Sequence, residues 1–142
     1  MSVTSKVWAS WACVDRGSFE LAICGHGVRL AGAIDGFKRF VEKYNLPFVS
    51  TMLGRDILPD HPLRRGTIGT HGNQEACDAM KAATNIIVIG ARLALNSRGY
   101  NDELVLNKKL TVIDIDISEW SKLPVQVDVL IEMDAYEFLH EA

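Results

Sequence analysis

Short apolar runs alternate along the chain with segments of helical spacing. The apolar runs predict buried strands, which we place at Phe19–Cys24, Phe48–Ser50, Ile86–Ile89, Leu110–Ile115 and Val127–Ile131. The clearest helix is predicted between the first two strands, where apolar residues recur at Leu30, Ile34, Phe37, Phe40, Val41 and Tyr44. Strands that alternate with helices in this way are typical of an α/β domain built on a parallel sheet.

Three further segments are predicted with less regular patterns. Asn73 is expected to cap a second helix, Asn101 to open a short helix, and Asp134 to cap a terminal helix over Ala135–His140. The N-terminal segment 1–18 carries Trp8, Trp11 and Ala12 at helical spacing. We interpret it as a covering segment on the sheet, and an anchor for a partner domain is the alternative.

The stretch Thr51–Gly72 follows neither a helical nor a strand period. It is rich in turn residues, namely Gly54, Gly66, Gly69, Gly72, Pro59 and Pro62. Its apolar residues argue against disorder, and an ordered connection of this length is usually functional. Within it, His61 is interpreted as a turn residue and Arg64-Arg65 as a solvated pair.

Composition limits the classes of function. A chain of 142 residues suits one domain, and a net charge of −3 with scattered basic residues predicts neither nucleic acid nor membrane as a partner. The longest apolar runs are far shorter than the roughly 18 residues of a membrane span. Cys13, Cys24 and Cys77 are odd in number and widely spaced, and the four histidines lack metal-ligand spacing. We expect reduced thiols and a cytoplasmic location.

Candidate chemistry lies where the predicted strands end. Ligands of open parallel sheets bind at the carboxyl ends of the strands, which here carry Gly25-His26-Gly27, Thr51–Gly54, Gly90-Ala91-Arg92 and Asp114-Ile115-Asp116. Glycine permits close approach of a phosphate, Arg92 can pair with a phosphate, and Asp114 can accept hydrogen bonds from a ribose. These ends together predict a nucleotide pocket. Each also has a structural interpretation: Leu30 replaces the third glycine of the dinucleotide fingerprint, so the glycine pair alone indicates a turn.

Five ordered blocks resemble the central domain of thiamine diphosphate-dependent enzymes, a family that includes acetolactate synthase, pyruvate oxidase and benzoylformate decarboxylase. The blocks are Gly25/Gly27, Thr51–Gly72, Gly90–Arg92, Ile113–Asp116 and Asp134-Ala135. The run Asn96–Asn101 is similar to acetolactate synthase-like proteins. The resemblance implies a Rossmann-like, three-layer domain with a mainly parallel six-stranded sheet.

The resemblance also implies a cofactor site. Relatives hold FAD or ADP in this domain, or nothing. Carried over position by position, the binding residues would be Gly25, Gly27, Thr51, Met52, Thr70, His71, Gly90, Ala91, Arg92, Asp114, Ile115 and Asp134. The segment Leu93–Asn96 departs from the charged cluster of acetolactate synthases, which leaves the choice between FAD, ADP and an empty pocket open.

By the same resemblance, residues 1–142 are expected to be one domain excised from a larger enzyme. The N- and C-terminal domains of that parent would be its partners and would hold thiamine diphosphate and Mg²⁺, and the parent would form a homo-oligomer. No Gly-Asp-Gly motif for that cofactor occurs in this chain. The parent would decarboxylate a 2-oxo acid, and the domain alone would be inactive. An independent NAD-dependent enzyme and an interaction domain with an empty pocket are the alternatives.

Overall fold

A computed structural model describes residues 17–51, 54, 56–68, 74–90, 109–114 and 129–141. Several predicted features lie outside these residues: the tryptophan-bearing segment up to residue 16, the Asn73 cap and the short helix at Asn101. The site residues Met52, Thr70, His71, Ala91, Arg92 and Ile115 also lie outside them.

Six parallel strands form one sheet. They are β1 Leu21–Cys24, β2 Phe48–Ser50, β3 Arg64–Thr67, β4 Asn85–Ile89, β5 Lys109–Asp114 and β6 Val129–Glu132. Their order in the sheet is β3-β2-β1-β4-β5-β6, and every neighbouring pair is parallel. The chain therefore builds outward from β1 in one direction, then returns to pair β4 on its other side. The predicted α/β, Rossmann-like architecture is confirmed.

Helices cover both faces of the sheet. The described residues contain α1 His26–Leu30, α2 Ile34–Tyr44, α3 Gln74–Ala82 and α4 Ala135–Glu141. One core cluster places Ala76 and Met80 of α3 against Ile23, Val88 and Val112 of the central strands. The second cluster lies on the opposite face, where side chains from α1, α2 and α4 pack on alternate strand residues. Because β1 is buried on both faces, all four of its residues are apolar or a thiol.

The first helical region differs from the prediction of one helix beginning near Leu30. Gly32 adopts a left-handed conformation, with φ of +68°, between α1 and α2. This break turns Leu30 outward, and 75% of its surface is exposed. Leu30 was therefore wrongly assigned to the core-facing side. Phe37, Phe40 and Val41 of α2 are buried as predicted.

The predicted loop Thr51–Gly72 contains a strand. Arg64–Thr67 forms β3 at the edge of the sheet, beside β2. Both arginines are half-buried rather than solvated: Arg64 donates to Oγ1 of Thr67 at 2.8 Å, and Arg65 donates to the carbonyl of Pro62 at 2.9 Å. The strand was missed because its residues are charged, small or polar, so no apolar alternation marks it.

Candidate functional site

The carboxyl ends of β1 and β4 meet where the strand order reverses. Gly25 follows β1 and donates its amide hydrogen to the carbonyl of Ile89 at 3.1 Å, while Gly27 donates to the carbonyl of Gly90 at 2.8 Å. Gly90 in turn donates to the carbonyl of Ile113 in β5 at 3.0 Å. Three of the predicted site residues, Gly25, Gly27 and Gly90, are thus brought together at the topological switch point of the sheet.

Backbone crowding explains the glycines at this edge. A Cβ on Gly27 would lie 2.8 Å from both Cα and O of Gly90, and a Cβ on Gly90 would lie 2.7 Å from the amide nitrogen of Val28. Gly90 also has a φ of +63°. The prediction gave these glycines the task of admitting a phosphate. In the structure, the close contact between the turns after β1 and β4 also requires glycine at these positions. The Gly27 amide donates its hydrogen within that contact.

Thr51 ends the second strand beside this contact. It is 6% exposed, and its amide donates to the carbonyl of Cys24 at 3.1 Å. Its own carbonyl accepts the amide hydrogen of Gly54 at 3.0 Å, which folds the chain back over β1. A Cβ on Gly54 would lie 3.1 Å from the Cys24 carbonyl, so this turn also requires a small residue. Thr51 therefore lies against the carboxyl end of β1, just before the turn that contains Gly25.

Two polar side-chain atoms of residues at or just after the carboxyl ends of β2 and β1 lack hydrogen-bond partners in the described part of the chain. They are Oγ of Ser50, which is fully buried, and Nδ1 of His26 at the start of α1. Sequence reasoning passed over Ser50, although a hydroxyl at the inner end of an apolar strand is a signal that could have found it. Buried polar atoms without partners are costly, so these two are available to a water or a ligand.

Asp114 and Asp134 lie on the far side of the edge. Asp114 ends β5, and its carbonyl accepts the amide hydrogen of Met133 at 3.1 Å. Asp134 precedes α4, and its Oδ2 accepts the amide hydrogen of Tyr136 at 3.2 Å. The predicted helix cap is confirmed, and this Oδ2 atom already has one hydrogen bond.

Cationic groups surround the carboxyl end of β1. Arg29 pairs with Asp56 at 2.6 Å, with 39% and 67% of the two side chains exposed. Burial raises the pKa of the Cys24 thiol to about 12, and the positive charges of Arg29 and Arg64 act in the opposite direction with smaller effect. The Cys24 thiol is therefore neutral at physiological pH and cannot serve as a nucleophile there.

Other features of the described residues offer no competing site. A surface cavity of about 220 Å³ lies between α2 and α4, and none of the predicted site residues lines it; its lining is Gly32, Ala33, Asp35, Gly36, Arg39, Tyr136 and Leu139. Within the described ranges, no group of three or more His, Cys, Asp and Glu could hold a metal ion. No helix among them is long and apolar enough to cross a membrane.

Known proteins resemble this chain over most of its length. The acetolactate synthase large subunit of Lactococcus lactis is 38% identical over 113 residues, 79% of this chain and 20% of that protein. A probable acetolactate synthase large subunit of Methanococcus aeolicus is 34% identical, over 85% of this chain and 20% of its own. A 3D-(3,5/4)-trihydroxycyclohexane-1,2-dione hydrolase of Geobacillus thermodenitrificans is 35% identical, over 70% and 15% of the two chains.

The fold also has a solved counterpart. A putative thiamin diphosphate-dependent enzyme from Mycobacterium smegmatis superposes with a TM-score of 0.69 at 23% identity, covering 89% of this chain and 25% of that one. The chain spans about a fifth of the length of the first two relatives. Residues 17–142 match the family described as thiamine pyrophosphate enzyme, central domain. This chain therefore belongs to the thiamine pyrophosphate enzyme family, whose central domain it represents.

Proposed function

We propose that this chain is the non-catalytic central domain of an acetolactate synthase-like enzyme, and that its carboxyl edge binds the adenine nucleotide part of FAD or ADP. One observation carries the proposal: the turns after β1 and β4 meet at the point where the strand order reverses. In open parallel sheets this is the place where nucleotides bind.

The described residues fit a nucleotide in part. Thr51 and Asp114 would supply a hydroxyl and a carboxylate for the ribose, and the partnerless atoms of Ser50 and His26 would accept or donate further hydrogen bonds. Arg29 and Arg64 would contribute positive charge near a diphosphate. The Gly27 amide would not contact the ligand, since it already donates to Gly90.

The parent would carry out its reaction in other domains. Those domains would hold thiamine diphosphate and Mg²⁺, which would supply the carbanion chemistry needed to decarboxylate a 2-oxo acid. This domain would hold the N- and C-terminal domains of the parent in place within a cytoplasmic homo-oligomer. The match to acetolactate synthase large subunits supports a parent that acts as a decarboxylase and carboligase, of transferase or lyase class, although a relative named as a hydrolase also matches the chain.

A scaffolding role is the second candidate. The observation that favours it is the direct backbone contact between Gly27 and Gly90, which uses the Gly27 amide hydrogen that could otherwise be donated to a phosphate. In that case the same edge would serve only to join sheet and helices, and no nucleotide would bind.

Calorimetric titration with FAD, ADP and NAD separates these functions. Binding of FAD or ADP, without NAD, is the expected result. Thr51→Val and Asp114→Asn should each weaken it about tenfold, the loss expected for one good hydrogen bond. Asp78→Asn on α3 is the matched control, because this exposed carboxylate lies on the other face of the sheet. Absence of any binding would favour the scaffold, and tight NAD binding would contradict the proposal.

A further inference from the structure

The connection from β2 to β3 contains no α-helix in its described residues, 51, 54 and 56–63. Crossovers between parallel strands usually contain a helix that packs on the sheet. Here the packing comes from Ile57, which is fully buried in the same cluster as α2. The residues after Ile57 form short turns. Leu58 has a φ of +49°, and the His61 amide donates its hydrogen to the Leu58 carbonyl.

The strand that follows has little to fix its register. β3 is four residues long, lies at the edge of the sheet and pairs irregularly with β2: Phe48 faces Arg64, but Ser50 faces Thr67. The extra residue falls near Gly66, which has a φ of +125°. A short, bulged edge strand without an apolar face is prone to slip, and a slip by one residue would move every side chain to the other face.

His61 lies where this strand begins. Its side chain is 8% exposed; Nδ1 accepts the amide hydrogen of Leu63 at 3.1 Å, and Nε2 lies 2.8 Å from Oε2 of Glu42 in α2. Because Nδ1 accepts, the neutral ring carries its proton on Nε2 and donates it to Glu42. The ring also packs on Phe48, with 5.8 Å between the ring centroids.

Backbone hydrogen bonds connect His61 and Leu63 to strands β2 and β3. Leu63, whose amide His61 holds, accepts the amide hydrogen of Phe48 at 3.0 Å, and Arg64 donates to the His61 carbonyl at 3.0 Å. At the other end of the strand, Ile68 donates to the carbonyl of Ser50 at 2.9 Å. One side chain thus ties α2, β2 and the start of β3 together.

We propose that His61 is a positioning residue, which sets the register of β3 against β2 and thereby the placement of Ser50 and Thr51 at the carboxyl edge. Its effect on a nucleotide rests on the proposed function; its effect on the register does not. No other side chain type offers an acceptor to the amide two residues on, a donor to Glu42 and an aromatic face to Phe48 from the same ring.

Native-state hydrogen exchange tests the register. His61→Phe keeps the ring but removes both nitrogens, and we expect the amides of Phe48 and Ile68 to exchange about tenfold faster while the Gly90 amide of the β4–β5 pair is unchanged. His61→Asn should restore part of the protection, because an asparagine side chain readily accepts the amide hydrogen two residues on but has no ring to pack on Phe48. Glu42→Gln is the control that keeps a hydrogen-bond acceptor but removes the charge.

Three outcomes would overturn the proposal. Unchanged protection in His61→Phe would show that the ring nitrogens do not hold β3. Equal loss of protection at Phe48, Ile68 and Gly90 would show a contribution to global stability only. Failure of His61→Asn to restore protection, relative to His61→Phe, would remove the Leu63 contact from the argument.

Titration of the same variants with ADP tests the consequence for the site. Affinity should fall about tenfold in His61→Phe and by a smaller factor in His61→Asn, measured at a temperature where all variants are folded. If the wild-type chain binds no nucleotide, the proposed function fails, yet the exchange experiment still decides the role of His61. Unaltered ADP affinity in His61→Phe would show that the register of β3 does not affect nucleotide binding at the carboxyl edge.

Discussion

Gly90 combines two constraints that usually occur apart. Its φ of +63° disfavours any side chain, and its Cα approaches the backbone of the β1–α1 turn so closely that a Cβ has no room. Gly32 has nearly the same φ, +68°, but no atom lies within 4 Å of a Cβ built there. The two positions therefore separate the cost of backbone strain from the cost of crowding.

Gly90→Ala should destabilise the domain much more than Gly32→Ala. The latter carries only the left-handed strain of alanine, about 1 kcal/mol. The former adds displacement of the Gly27–Val28 turn, and we expect a total of about 3 kcal/mol or more. Urea unfolding of both variants measures the difference. Equal losses would mean that the turn moves aside easily, and the close approach of β4 to α1 would then not constrain the sequence.

Cys24 gives a prediction on thiol reactivity. Its pKa of about 12 lies above the reference value of 9.0, so the folded protein holds the proton over a range in which the unfolded chain loses it. At pH 8 the thiolate form of Cys24 is therefore much rarer in the folded protein than in the unfolded chain. A Cys13→Ser, Cys77→Ser variant should therefore resist a disulfide reagent until it unfolds. A variant that keeps only Cys77, which is half-buried, is the reactive control. Rapid labelling of native Cys24 would contradict its burial.

Residue-scale predictions from sequence succeeded where the signal is local. The glycines after β1 and β4 and the Asp134 cap follow from their positions next to strands and helices. His61 was interpreted as a turn residue only, because its partners Glu42 and Phe48 lie 19 and 13 residues away, distances over which sequence spacing carries no information. The prediction that Leu30 faces the core was wrong for a different reason: the helical spacing of apolar residues does not reveal the break at Gly32.

At the scale of elements, one carboxylate joins the start of β4 to the residue before β1. Oε1 of Glu20 accepts the amide hydrogen of Thr84 at 2.6 Å, the Thr84 hydroxyl at 2.8 Å and the amide hydrogen of Asn85 at 3.2 Å. The Glu20 amide donates in return to the Asn85 carbonyl at 2.9 Å. This arrangement ends the α3–β4 turn at the amino edge of the two central strands.

Glu20→Ala should lower the free energy of unfolding by about 1.5 kcal/mol, the lower end of the range for hydrogen bonds to a charged group, because Glu20 is exposed. Glu20→Gln keeps an acceptor oxygen at the same position, and we expect it to lose less than half as much. Chemical denaturation of the two variants compares them directly. If both lose the same amount, charge rather than hydrogen bonding holds the turn, and raising the salt concentration should then weaken the wild-type protein as well.

Elements were predictable in proportion to their burial. The central strand β1 consists of apolar residues and one thiol, β4 is apolar after Asn85, and the predicted runs overlap both strands closely. The edge strand β3 has no such pattern, since one of its faces and its outer edge do not need apolar residues, and it became visible only in the structure. Strand order depends on pairing between distant segments, which no local pattern contains. The family resemblance predicted six mainly parallel strands but no order, and the order comes from the structure.

At the scale of the whole molecule, two core clusters of buried residues lie on the two faces of one open six-stranded sheet. The Gly-Asp-Gly motif, to which the resemblance assigns the thiamine cofactor, does not occur in this sequence. Folding and cofactor binding are therefore expected to be separate properties. Thermal unfolding with added ligands tests that separation.

Thiamine diphosphate with Mg²⁺ should leave the unfolding temperature of this chain unchanged, whereas ADP or FAD should raise it. A ligand that binds only the folded state at a hundred times its Kd stabilises by about 2.7 kcal/mol, which corresponds to a shift of several degrees in a domain of this size. Mg²⁺ alone is the control, because a metal effect without the diphosphate would reflect a different site. A shift with thiamine diphosphate equal to that with ADP would mean that the carboxyl edge binds any diphosphate. That result would contradict the proposal that the edge is specific for an adenine nucleotide.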